Sequence, residues 1–160
     1  MINLNPPTSF PFPEPPLPSE VHLRVARFLN LSGSYLEAYH AAMTGLSCEV
    51  SSGELRAELH LNAAIALLHL GRAHDAYICI EAGLQSAPHD NRDLRAALYV
   101  KAGESLLHLM DFRAAARAAH AAAEEASTEE SVVFSLADLI QRLREVWRPN
   151  ETETGRMNDR

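Results

Sequence analysis

Long apolar runs are missing from this chain of 160 residues. No stretch reaches the ~18 consecutive apolar residues of a membrane-spanning helix. The first residues have no basic segment leading into an apolar run, so no secretory signal is expected and the expected compartment is the cytoplasm or the nucleus. Without such a signal, the two glycosylation-type triplets at Asn30 and Asn150 read as chance matches. Cysteine is confined to Cys48 and Cys79, neither with a CxxC neighbour, which removes a zinc site or a redox motif from consideration. Lysine is reduced to Lys101 alone. Positive charge is outweighed, with a net charge of −7, so duplex nucleic acid is not an expected partner. A nucleophile motif, a phosphate-binding loop and paired catalytic carboxylates are all absent. No enzymatic activity and no cofactor are expected.

What is present is a repeat. Residues 55–70, LRAELHLNAAIALLHL, return as LRAALYVKAGESLLHL at residues 94–109, a shift of 39. A fainter copy lies 38 residues earlier, where Leu17, Glu20, His22, Leu23, Ala26, Leu29 and Gly33 anticipate Leu55, Glu58, His60, Leu61, Ala64, Leu67 and Gly71. A fixed period of this size marks a stack of like units, each burying its apolar face on the next.

Seven of the nine prolines fall within residues 1–18. Proline has no amide donor and a fixed φ, so this stretch is an arm and not a helix. Its PxxP spacing lacks a flanking basic residue. The arm is therefore expected to act as a spacer or to dock on the protein itself. Six helices in three hairpins should follow, at 19–32 and 35–47, 53–70 and 73–87, 92–109 and 112–126, with a seventh at 129–147. Ser19 and Asp111 are placed to cap helices. Ser34 with Glu37, Ser51 with Glu54, and Ser127 with Glu130 have the capping-box spacing. Gly33 and Gly71 suit the turns within hairpins, whereas the third turn carries Met110 and is expected to differ. Val132, Leu136, Leu139, Leu143 and Val146 form one stripe on the last helix, suited to sealing the open end of the stack. The organisation is thus an arm at 1–18, a helical domain at 19–148 and a polar tail at 149–160.

These units resemble tetratricopeptide repeats. Residues 57–90 carry the resemblance best, with Ala64, Leu67, Gly71, Ala76, Leu84 and Pro88 at the small, large, turn and terminal positions. Gly103, Leu106, Phe112 and Ala115 follow the pattern in the third unit, and Ala26, Leu29, Gly33 and Ala38 in the first. Two departures stand out. The period exceeds the family's ~34 residues, and His22, His60 and Tyr99 replace a bulky aromatic near the start of each unit. The resemblance implies an all-α, helix-hairpin solenoid of six repeat helices plus a capping helix. It further implies a concave groove lined by the first helix of each pair.

Carried onto this sequence, the partner-binding groove comprises Leu23, Arg27, Leu61, Asn62, Ile65, Leu68, His69, Val100, Lys101, Glu104, Leu107 and His108. Such a groove is largely apolar and suits an amphipathic helix or an extended apolar peptide. Phe10, Phe12 and Leu17 of the arm are candidates to occupy the same strip. Some family members hold an acidic chaperone C-terminus in a carboxylate clamp, whose positions fall here on Leu23, Arg27, Asn62, Ala97 and Lys101. Only Asn62 matches outright, and Leu23 and Ala97 cannot hold a carboxylate, so clamp binding is not expected. His69 and His108 read as duplicated repeat residues and not as metal ligands. The resemblance implies a protein-binding adaptor. Two other readings share its features: a chaperone for a secreted or assembly-prone client, and an oligomerisation module that self-associates through the groove or through 129–147.

Overall fold

Seven helices and no strand occupy the described residues, 17–125 and 129–147, of the computed structural model. They are α1 (Ser19–Leu31), α2 (Tyr35–Ser47), α3 (Gly53–His69), α4 (Ala73–Ser86), α5 (Arg92–His108), α6 (Phe112–Glu124) and α7 (Glu130–Val146). The fold is all-helical, built from adjacent packed hairpins, as the repeat pattern requires. Most of the Pro-rich arm, the polar tail and Ser127 lie outside the described residues.

The corners inside the hairpins share one geometry. Gly33 and Gly71 take left-handed φ values of 81° and 74°. The Gly33 and Gly71 amides donate to Asn30 O and Leu68 O, and the next amides, of Ser34 and Arg72, reach back to Leu29 O and Leu67 O. This paired return satisfies carbonyls that the helix end would otherwise leave open. The third corner was expected to depart from this, and it does not. Met110 adopts φ 62°, with Met110 N donating to Leu107 O and Asp111 N to Leu106 O. The packing of α5 on α6 therefore imposes the turn on a residue that disfavours it.

Helix starts follow the sequence less closely. Asp111 accepts from Ala114 N at 2.9 Å, as expected. Asn91 does the same for α5, accepting from Leu94 N at 3.1 Å. Ser52, not Ser51, caps α3 through Leu55 N. The hydroxyl of Ser51 donates instead to the Glu20 carboxylate across the hairpin boundary. Ser19 caps nothing. It is the first residue of α1, buried, and donates to Glu49 O at 2.9 Å. Ser34 makes no side-chain cap either, so its pairing with Glu37 is not formed.

Hairpins join through close approaches. A Cβ at Gly45 of α2 would lie 2.8 Å from Leu59 Cδ2 of α3, and one at Gly83 of α4 would lie 2.9 Å from Leu98 Cδ2 of α5. The two contacts are one repeat apart. His22 and His60 close the same seats from the other side, through their Cβ atoms. Burial pushes the His60 imidazole below its usual range, with Arg56 adding to the effect.

Among the described residues the backbones of α1 and α3, of α3 and α5, and of α5 and α7 come together, while those of α2, α4 and α6 stay apart. First helices converge and second helices splay, so the stack curves with α1, α3, α5 and α7 on its inner side. α7 takes the place of a fourth first helix. Val132 joins Ala96, Val100 and Ala122, and Leu139 is fully buried. The stripe foreseen for this helix is thus spent inside the chain up to Leu143, while Val146 and Trp147 stay exposed.

Two substitutions test this account. Met110→Gly removes a strained left-handed residue and should raise stability by about 0.5–1 kcal/mol after the added chain entropy of glycine. A higher urea midpoint checks it; an unchanged one would show that the corner carries no strain. At Gly103 an added Cβ would sit 2.5 Å from Leu139 Cδ2. Gly103→Val should therefore destabilise by about 1–3 kcal/mol through overpacking. In a Leu139→Ala background the same substitution should cost less than in the wild type, and an equal cost would place the strain elsewhere.

Candidate functional site

The inner curve of the stack holds a groove of about 390 Å³. Four helices supply its walls. α1 gives Arg27; α3 gives Glu58, Leu61, Asn62 and Ile65; α5 gives Leu94, Ala97, Val100 and Lys101; α7 gives Ser131, Val132 and Ser135. The 3.6-residue period explains the grouping, because Glu58, Leu61, Asn62 and Ile65 recur at steps of three and four along one helix face. Leu61, Ile65 and Ala97 are half-buried, so their apolar surface is open to the groove.

The polar rim is internally paired. Arg27 Nη2 donates to Glu58 Oε1 at 2.7 Å. Lys101 Nζ donates to both carboxylate oxygens of Glu104 at 2.9 Å. Asn62 is buried, and its Nδ2 donates to Glu58 O at 2.9 Å. Asn30 Nδ2 in turn donates to Asn62 O at 3.0 Å. Asn91 Nδ2 donates to Glu54 Oε1 at 2.6 Å beside the start of α5. The two groove cations thus each carry a carboxylate of this chain. An incoming anion would have to compete with those partners, and Asp93 and Glu129 add further negative charge to the wall. That arrangement disfavours a carboxylate clamp on physical grounds.

Of the residues expected in the groove, Arg27, Leu61, Asn62, Ile65, Val100 and Lys101 do border it. The others lie elsewhere. Leu23 is in the core with Leu55 and Leu59, and Leu107 is buried in the main core cluster. Leu68 is half-buried against that same cluster. Glu104 reaches the rim only as the partner of Lys101. His69 is exposed at the end of α3 and stacks on Tyr35, with ring centroids 4.2 Å apart and planes 7° from parallel. His108 is exposed at the end of α5. Neither histidine lines the groove. Val100 belongs to the floor but is only 1% exposed, so it is core first and groove second.

The contribution of α7 was not foreseen. Val132 was read as part of an end seal, and it both seals α5 and forms a groove wall. Its i, i+3 relation to Ser135 was the available signal. Among the described residues no three His, Cys, Asp or Glu side chains converge in a way that suits a metal ion. No helix there is long and apolar enough to cross a membrane. Cys79 is half-buried in α4, and burial raises its thiol pKa, so it behaves as a small packing residue. Comparison with protein-family models, with curated proteins and with solved structures gives no match, and the role of the groove rests on its own residues.

Proposed function

We propose that this protein is a non-enzymatic adaptor of tetratricopeptide-like build, holding a peptide or helix of a partner protein in the groove between α1, α3, α5 and α7. One observation carries this reading. Leu61, Ile65 and Ala97 leave an apolar strip open on the inner curve, while the charged groups around it are already paired within the chain. Apolar surface enclosed by a satisfied polar rim gains most from an apolar ligand, because the rim groups need not be desolvated unpaired. A small molecule would find few convergent polar groups to orient it, whereas a protein segment would be held along the length of the strip. The cytoplasm is the compartment that fits this role.

Ile65→Glu is the decisive change. Ile65 is half-buried, so its replacement carboxylate can reach water in the free protein, and the fold should persist. Against an apolar ligand the carboxylate would lose its solvation, weakening binding by about tenfold or more. Val100→Glu is unsuitable, because at 1% exposure it would place an unpaired charge in the core. Ile78→Glu, on exposed α4 surface outside the groove, is the control. Affinity capture with cross-linking should recover partners with wild type and Ile78→Glu and lose them with Ile65→Glu. A folded Ile65→Glu variant that captures the same partners would place binding elsewhere.

A further inference from the structure

We infer that the Pro-rich segment 1–16 folds back and covers the outer stripe of α1 formed by Val21, Val25 and Phe28. The stripe has equivalents one and two repeats along. Leu59, Ala63 and Ala66 of α3 stand at those positions, as do Leu98, Ala102 and Ser105 of α5. All six are buried, and the leucine that opens each set is covered by the helix just before it in sequence. α2 lies on α3 through Gly45 and Leu59; α4 lies on α5 through Gly83 and Leu98. On α1 no helix precedes this face among the described residues. Val25 is 41% exposed and Phe28 is 69% exposed. The terminal unit of a stack ordinarily turns a polar face outward. This one turns an apolar stripe, and the segment preceding α1 is the next in line to cover it.

The chemistry of the segment suits that seat. Residues 1–16 include Ile2, Leu4, Phe10, Phe12 and six prolines, with Glu14 as their only charge. Proline-rich chain is already extended, so ordering it costs little, and it docks on exposed aromatic surface. Lengths also agree. Phe28 lies about 14 Å along α1 from Ser19 at ~1.5 Å per residue. An extended chain of ~3.1 Å per residue spans the five residues from Leu17 to Phe12 in about 15 Å, long enough to reach Phe28, and the two further residues to Phe10 leave slack for a chain reversal. A second copy of the chain fits less well. The internal interfaces use small residues, Ala63, Ala66, Ala102 and Ser105, to let a helix approach. Val25 and Phe28 in their place hold a helix off but accept a thin extended segment.

The test places a single thiol on the stripe. Val25→Cys in a chain with Cys48→Ser and Cys79→Ala reports access to a soluble thiol reagent. Ile65→Cys in the same background reports access to the groove. In the full chain the Val25→Cys thiol should react roughly tenfold more slowly than after removal of residues 2–16, as for a site exposed only by local opening. Phe10→Ser with Phe12→Ser should move the full chain toward the faster rate. The Ile65→Cys rate should not respond to the deletion. Equal Val25→Cys rates with and without the segment overturn the inference. So does protection that grows with protein concentration, which would assign the stripe to a second copy. Unmasking of Ile65→Cys in place of Val25→Cys would put the segment in the groove and overturn it as well.

Discussion

The stack depends on one contact made twice, a leucine of one hairpin seated on a glycine of the hairpin before it. Leu59 enters the face of α2 at Gly45, and Leu98 enters the face of α4 at Gly83. A methyl group at either glycine would lie inside van der Waals contact, so the two helices can approach only where the side chain is missing. A mid-helix glycine ordinarily weakens a helix by roughly 0.5–1 kcal/mol relative to alanine. Here that cost is offset by burying a leucine, worth about 1.5–3 kcal/mol. The spacing between hairpins, and hence the curvature that produces the groove, follows from how deeply those leucines sit.

α7 ends the series by a variant of the same device. Its Leu139 is seated on Gly103, a residue of α5 and not of the helix just before it. Its Val132 packs beside Ala122 of α6 and Val100 of α5. The last helix therefore rests on both members of the third hairpin, as first helices do within the stack. This placement turns the N-terminal half of α7 toward the inner curve, where Val132 and Ser135 complete the groove.

Much of the fold was legible because its signals are local and repeated. Gly33 and Gly71 announced their left-handed corners, and Asp111 its cap. Paired small and large residues such as Ala64 and Leu67 marked the packed faces. Met110 was misread because nothing local favours a left-handed methionine; tertiary packing sets that corner. Ser19, Ser34 and Ser51 were misread for a related reason. A serine near a helix start has several partners within reach, and only the neighbouring hairpin decides whether its hydroxyl donates to Glu49 or Glu20 or accepts from an amide of its own helix. The candidate groove was legible in half. Leu61, Ile65 and Lys101 are placed by helical period, but the same period cannot say which side of a first helix meets the next hairpin. Leu23 and Leu107 fell on the buried side. The share of α7 in the wall depended on where the seventh helix comes to rest, which no repeat predicts.

Val132 belongs at once to the core beneath α7 and to the groove wall. The groove is whole only while the last helix is seated, so opening of α7 and emptying of the groove are coupled equilibria. Any occupant that touches Val132 adds its binding free energy to the docking of α7, and by reciprocity a change that loosens α7 weakens the occupant by the same factor. Substitutions on the far side of that helix would then act on occupancy at a distance, without altering a single residue that the occupant meets.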